Sequence, residues 1–161
     1  VALERVANAD NVGGIFRAAA ALGADGVLLG PACTDPLYRK AIRTSMAATL
    51  LVPFASAEPW PAALETLAAQ GWETIGLTPA AHAAPLPDVA RLTRGRPCVL
   101  AVGHEGEGLS PGALAACTRL ARIPMRPAHA TLVDSLNVTT AAAIGLYALA
   151  GTDDTPGEAG P

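Results

Sequence analysis

Apolar residues along the chain fall into short continuous runs separated by Gly, Pro and polar residues, with helical spacing between many of the runs. Val1 to Val6 alternates as a strand does, and Ala7-Asn8-Ala9-Asp10-Asn11 has turn chemistry. Gly13-Gly14 predicts the opening of a helix that runs through Leu22 and closes at Gly23, where a left-handed cap costs least. Val27-Leu28-Leu29 completes a first β-α-β unit. Leu50-Leu51-Val52 predicts a third strand stopped by Pro53, and Ala57 to Gln70 carries Leu64, Leu67 and Ala68 at helical spacing, with Pro61 in its first turn. Thr74 to Leu77 reads as a fourth strand. The stretch from Thr78 to Arg96 is rich in Ala and Pro without a clear period, which predicts a loop with one helical turn between Pro87 and Leu92. Cys98 to Val102 is continuously apolar between Pro97 and Gly103, the pattern of a fully buried parallel strand. Ser110 and Pro111 are suited to cap and first position of another helix, and Arg122-Ile123 forms the last strand, stopped by Pro124.

The most organising stretch is the C-terminal one. A polar loop through Arg126 to Asp134 leads to Ser135-Leu136-Asn137, and Val138 to Leu149 is then a run of Ala, Ile, Leu and Tyr. This run predicts a helix buried on most of its faces, with Ser135 and Asn137 placed to cap its first turn and to meet a ligand. Gly151 to Pro161 is polar and rich in Gly and Pro, and is expected to be a disordered tail. Strands alternating with helices predict an α/β fold with a mostly parallel sheet, helices on both faces and ligands at the carboxyl ends of the strands. The Gly-rich turns all fall at those ends.

At 161 residues the chain fits one domain. A formal net charge of −3 gives no global electrostatic footprint for nucleic acid. Cys33, Cys98 and Cys117 are far apart and form no C-x-x-C, so they read as buried thiols of a cytoplasmic protein rather than as a disulfide framework or zinc site. No apolar run reaches the length of about 18 residues that a membrane span needs. Because Val1 reads as mid-strand, an N-terminal portion is expected to be absent from the chain.

Five candidate constellations stand out by residue type. Gly13-Gly14 lacks both G-x-x-x-x-G-K-S/T and G-x-G-x-x-G, so the ATPase and dinucleotide readings fail. Glu105 and Glu107 have no companion cluster of His or Cys, which argues against a metal, and His104 and His129 read as loop histidines. Ser135 lacks the G-x-S-x-G elbow of a nucleophile. Arg17, four residues beyond Gly13, is either a surface residue of an Ala-rich helix or a functional group leaning back over the turn that holds Asn11. Arg39, Lys40 and Arg43 form the densest basic cluster, ordinarily a solvated helix face. These residues define a polar site built from three loops.

Taken together, the three loops resemble one family. Asn11-Val12-Gly13-Gly14-Ile15-Phe16-Arg17-Ala18-Ala19 is similar to the first motif of the SpoU (TrmH-like) branch of the SPOUT RNA methyltransferases. Val102-Gly103-His104-Glu105-Gly106-Glu107-Gly108-Leu109-Ser110 resembles the second motif. Ile123-Pro124-Met125, followed by Ser135-Leu136-Asn137-Val138, resembles the third. The likeness runs from Val1 to about Ala150, with the motifs in order. It departs in lacking Pro near Asp10-Asn11, in carrying Ala47 where the family usually has Gly, and in a third-motif loop longer than is common.

The resemblance implies a catalytic domain over residues 1–150 with a C-terminal trefoil knot, which general rules of chain topology would not have suggested. It implies S-adenosyl-L-methionine as methyl donor, a ribose 2′-hydroxyl of tRNA or rRNA as acceptor, a homodimer and no metal. Val102, Gly103, Ile123, Met125 and Leu136 fall on cofactor-binding positions, and Asn11, Arg17, Glu105, Ser135 and Asn137 on catalytic and site-shaping ones. A planar, multi-donor Arg17 suits an acceptor phosphate, though its pKa is too high for easy service as a base. Two other readings are a SPOUT enzyme acting on a guanine base, which would need a general-base carboxylate, and a cofactor-binding module without turnover. With the acidic balance, the mid-strand start at Val1 and the resemblance together lead to the expectation of a basic N-terminal RNA-binding domain outside this chain.

Overall fold

The computed structural model describes residues 1–125 and 135–150. A seven-stranded, wholly parallel sheet forms the middle layer, in the order β3-β2-β1-β6-β4-β7-β5. Its strands are β1 (Ala2–Leu3), β2 (Val27–Leu29), β3 (Phe54–Ser56), β4 (Glu73–Leu77), β5 (Ala84–Pro85), β6 (Cys98–Val102) and β7 (Arg119–Arg122). Among the described residues, α1 (Ala9–Ala21), α2 (Arg39–Thr44), α3 (Ala62–Ala69), α4 (Leu86–Thr93) and α5 (Pro111–Ala116) lie between strands, and α6 (Val138–Ala150) follows β7.

Strand alternation divides the core in two. On β1 and β6, Leu3, Leu100 and Val102 point to the face covered by α1, α4 and α6, where they meet Val12, Ile15, Phe16 and Val89. Ala2, Val99 and Ala101 point to the opposite face and meet Leu64 of α3 and Ala113 of α5. A buried Leu or Phe contributes on the order of 2 kcal/mol by removing its surface from water. The many Ala side chains instead let elements approach closely. Phe16 of α1 packs edge-on against Phe54 of β3, with ring centroids 5.8 Å apart.

Several predicted elements take different bounds, each for a local reason. The first strand stops at Leu3 because Arg5 turns into the left-handed region at φ 56°. The helix after it begins at Ala9 rather than at Gly13, because Asn8 caps it by accepting from the Asp10 amide at 2.8 Å. Leu50-Leu51-Val52 is not a strand. Residues Ala48–Leu50 form a short 3-10 turn, and the third strand starts after Pro53, whose carbonyl accepts from Val27 N at 2.9 Å. The third helix starts only at Ala62, since Pro59 and Pro61 interrupt the earlier part of the predicted segment.

The stretch from Thr78 to Arg96, expected as a loop with one helical turn between Pro87 and Leu92, holds β5 as well, and the turn is the full helix α4. Pro85 is tolerated because β5 is an edge strand, and Leu86, Val89 and Thr93 form the buried stripe of α4. The last strand is shifted back, ending at Arg122. The last helix is buried along one stripe, Val138, Ala142 and Gly145, while Ile144 and Tyr147 are exposed, so the expectation of burial on most faces does not hold. The three cysteines are unpaired and half-buried rather than fully buried. The loop Arg126 to Asp134, with His129, and the tail Gly151 to Pro161 lie outside the described residues, as does the connection on which a C-terminal knot would rest.

The site is positioned by a reversal at the centre of the sheet. β1 and β6 are neighbours, yet the chain leaves β1 into α1 on one face and leaves β6 into α5 on the other. Such a switch point opens a crevice at the carboxyl ends of the two strands. Glu4, buried there with 2% exposure, accepts from Ser110 N and Ser110 Oγ, both at 2.7 Å, and from Trp60 Nε1 at 2.8 Å. Those bonds fix where the loop after β6 ends. At the other end of the sheet, buried Glu73 is held by Arg119 at 2.9 Å, by Thr118 Oγ1 at 3.0 Å and by Arg96. Arg119 holds the Glu73 carboxyl below the usual range.

Candidate active site

A cleft opens at the carboxyl ends of β4, β6 and β7. Its walls come from Leu77-Thr78-Pro79 after β4, from Val102 to Gly106 and Gly108 after β6, from Ile123 and Met125 after β7, and from Ser135, Leu136, Val138 and Ala141 at the head of α6. All five predicted cofactor-binding residues, Val102, Gly103, Ile123, Met125 and Leu136, line this one cleft. So do Glu105 and Ser135.

The loop after β6 closes on itself. His104 N donates to Gly108 O at 3.1 Å and Gly108 N returns to His104 O at 2.9 Å, forming a small antiparallel bridge. A side chain at Gly103 would put its Cβ 2.2 Å from the Gly108 carbonyl carbon, an overlap with backbone that no rotamer relieves. His104 is a loop residue, as expected: its Nδ1 accepts from Gly106 N at 3.0 Å and Glu107 N at 3.2 Å. Arg5 pins the outer edge of the loop through its 2.7 Å ion pair with Glu107.

Beside the cleft, side chains from all three motif stretches are joined by hydrogen bonds. Asn11, in the first turn of α1, donates from Nδ2 to Glu105 Oε1 at 2.6 Å. A carboxylate only accepts, so this bond fixes which way the Asn11 amide faces. Asn11 Oδ1 then accepts from Asn137 Nδ2 and from Thr139 Oγ1, each at 3.2 Å. Asn137 also caps α6, accepting the Thr139 amide at 2.9 Å. Thr139 in turn packs under Gly14, where a Cβ would come within 2.6 Å of its methyl group.

Arg17 is not part of this network. It is exposed on α1 and does not line the cleft. The position of Gly13 faces Ala41 of α2 and that of Gly14 faces Thr139 of α6. Arg17 lies four residues past one and three past the other, so it stands over the seam between α2 and α6. Next to Asn11, Asp10 is bonded by Lys40 Nζ at 2.8 Å and Thr44 Oγ1 at 3.0 Å. Those two bonds, Lys40 first, hold the Asp10 carboxyl below its usual range.

Four participants escape a reading of residue types. Thr139 is hidden by its place inside an Ala-rich helix, although the Asn137-x-Thr139 spacing is that of a cap and its second helical residue. Thr78 and Pro79 follow β4, and the rule that ligands sit at strand ends could have marked them once β4 was placed. Arg5 carries the one signal visible only in three dimensions, a non-Gly residue at positive φ beside a candidate site.

Fit to a nucleoside-bearing cofactor can be judged from the walls. Leu77, Val102, Ile123, Leu136 and Val138 supply apolar contact, while the Gly-rich loop presents backbone without side chains in the way. Among the described residues no group of His, Cys, Asp or Glu could hold a metal ion, and no helix is long and apolar enough to cross a membrane.

Comparison with known proteins places this architecture. A tRNA/rRNA methyltransferase of Mycobacterium tuberculosis, itself uncharacterised, is 44% identical over 145 residues, which is 90% of this chain and 49% of the relative. The chain thus spans about half the length of the curated relatives it matches. Among solved structures, an AdoMet-bound rRNA methyltransferase from Sinorhizobium meliloti superposes with a TM-score of 0.80 at 29% identity, over 92% of this chain and 54% of the other. An RNA 2′-O ribose methyltransferase does so with a TM-score of 0.76 at 28% identity, over 92% and 54%. The family model described as the SpoU rRNA Methylase family matches residues 1–147, nearly the whole described chain and all three motif stretches around the cleft, and the chain belongs to that family.

Proposed function

We propose that this chain is the catalytic domain of an RNA methyltransferase that moves a methyl group from S-adenosylmethionine to a ribose 2′-hydroxyl. The observation that carries the reading is the cleft lined by the second and third motif stretches, to which the Asn11–Glu105–Asn137 network ties the first. The AdoMet-bound rRNA methyltransferase and the RNA 2′-O ribose methyltransferase among the structural relatives support the cofactor and the acceptor. Residues 1–150 form the methyltransferase unit in this reading.

Val102, Gly103, Ile123, Met125 and Leu136 would hold the cofactor, by apolar contact and by backbone groups that the Gly-rich loop leaves uncovered. Its sulfonium supplies an activated methyl group, so alignment of the acceptor and loss of one proton are what the protein must provide. Glu105 and Asn11 orient the acceptor side of the cleft, and Asn137 and Ser135 hold the loop that ends at α6. Arg17 stands outside the cofactor walls, as suits a group that binds the acceptor phosphate. Neither role calls for a metal.

The unit acts as a homodimer in this proposal, with α1 and α6 at the interface. Ile144 and Tyr147 are exposed apolar residues of α6, off its buried stripe of Val138, Ala142 and Gly145. RNA affinity from this chain alone is weak, because its net charge is −3 and binding rests on cations that neutralise phosphates. We assign most of that affinity to a basic domain beyond these residues.

Incubation with methyl-labelled S-adenosylmethionine and RNA, followed by mass spectrometry of the nucleosides, tests the reading. It predicts label on ribose. Label on a guanine base would replace it with the base-methylating reading, and cofactor binding with no transfer to any RNA would leave only a binding module.

A further inference from the structure

The acidic balance of the chain hides a local excess of free positive charge. Among the described residues Arg5, Lys40, Arg91, Arg96 and Arg119 each pair with a carboxylate. Arg17, Arg39 and Arg43 pair with none, and all three are exposed on the adjacent helices α1 and α2. The other cations without a carboxylate partner are scattered, Arg94 just beyond α4 and Arg122 in β7.

Geometry connects this face to the cleft. Arg39 and Arg43 are one turn apart on α2, so they form one outward stripe. Lys40, between them in sequence, is turned to Asp10 of α1 at 2.8 Å, which cancels that acidic charge. Asn11, the next residue, reaches Glu105 of the cleft at 2.6 Å. The helix that carries the arginine stripe is thus linked to the cleft wall through Asp10 and Asn11 in the first turn of α1. At the head of the stripe Tyr38, the residue before α2, is 57% exposed, and an aromatic ring in water beside free guanidinium groups has little to gain from the protein's own packing. Asp35, the acidic residue closest to Tyr38 in sequence, accepts the Leu37 amide at 2.8 Å.

We propose that Tyr38, Arg39 and Arg43, with Arg17 alongside, form a landing strip for a single-stranded RNA segment that leads the acceptor nucleotide into the cleft. The arginines neutralise successive phosphates and the tyrosine stacks on a base, the combination by which single strands are held without reading sequence. This rests on the proposed methyltransferase reading and adds where the RNA lies.

The test is filter binding of a labelled single-stranded RNA to the full chain across a salt series, for wild type, Arg39→Gln/Arg43→Gln, Tyr38→Ala and Arg94→Gln. Calorimetry with S-adenosylmethionine runs in parallel on each. Loss of two phosphate contacts should lower the slope of log affinity against log salt by about 1.4 in the double variant. Tyr38→Ala should weaken binding roughly tenfold with the slope unchanged. Arg94→Gln should match wild type, and all four should bind the cofactor alike. Equal affinity and slope in the double variant and wild type would overturn the inference, as would no RNA binding by a wild type that still binds the cofactor. Arginine-dependent binding to anionic lipid vesicles without RNA binding would also overturn it. Failure of every protein to bind the cofactor would instead remove the methyltransferase reading beneath it.

Discussion

Asn11 of α1 and Glu105 of the loop after β6 are 94 residues apart in sequence and 2.6 Å apart in space, with the Asn11 amide donating to the carboxylate. The same amide accepts from Asn137 and Thr139, so one side chain ties three segments together. Asn11→Asp puts a second carboxylate against the first and removes the donor, whereas Asn11→Ala removes the bonds alone. Like charges at that distance oppose each other more than a missing neutral bond costs, by about 1–3 kcal/mol. Methyl transfer should therefore fall further in Asn11→Asp than in Asn11→Ala, by roughly tenfold or more. Equal loss in the two would mean that Glu105 is not held as a carboxylate by this amide.

Arg17 gives a prediction of the opposite kind. Because it stands over the seam of α2 and α6 and away from the cleft walls, Arg17→Ala should abolish methyl transfer while leaving S-adenosylmethionine affinity within about twofold. Equilibrium binding and single-turnover transfer on the same preparation decide it, and a parallel fall in cofactor affinity would refute the acceptor-side role.

Ala47 holds the left-handed conformation at φ 66°, directly after Met46 at φ 54°. The resemblance had already singled out this position as one where Gly is usual. A Cβ there costs about 1–2 kcal/mol, and the extra freedom that Gly brings to the unfolded chain takes back about 0.5–1. Ala47→Gly should stabilise the domain by up to about 1 kcal/mol, raising Tm by roughly 2–4 °C. A lower Tm in thermal unfolding would show that the turn is not held in this conformation in solution.

Much of this was legible in the chain itself, for reasons that differ by segment. Cys98–Val102 and Val27–Leu29 are continuous apolar runs with sharp borders, so strand and bounds were readable together. Ser110-Pro111 predicted the start of α5, and Ser110 Oγ does accept from Ala113 N at 3.2 Å. Leu50 and Leu51 misled because hydrophobicity was taken for burial, and Leu51 is 78% exposed. The edge strand Ala84–Pro85 has no pattern to read, being two residues long and fixed only by its partner β7. The predicted cofactor positions line one cleft, but the nearness of those after β6 to those after β7 follows from both strands flanking β4, which no local spacing encodes. Thr139 is hidden by the Ala-rich helix that carries it, and Arg5 by a backbone conformation that shows only in the fold.

Ile144 and Tyr147 leave an apolar face on α6, with Tyr147 59% exposed. If α1 and α6 form a two-fold interface, each residue meets its own counterpart's surface, and one substitution is introduced on both sides at once. The chain should scatter light as a dimer at micromolar concentration, and Tyr147→Glu should shift it to monomer without lowering Tm by more than a few degrees. A monomeric wild type would refute the dimer.

The central claim is that the cleft bounded by Gly103, Ile123, Met125 and Leu136 binds S-adenosylmethionine, and calorimetric titration in the presence of a chelator tests it most directly. Wild type should show one site per chain. Gly103→Ala should lose at least about tenfold in affinity, because its Cβ would lie 2.2–2.3 Å from Gly108 and Leu109 backbone atoms. Gly106→Ala, where the nearest atom is 3.6 Å away on the His104 ring, should bind like wild type. No heat from wild type with either the methyl donor or its demethylated product would contradict the account.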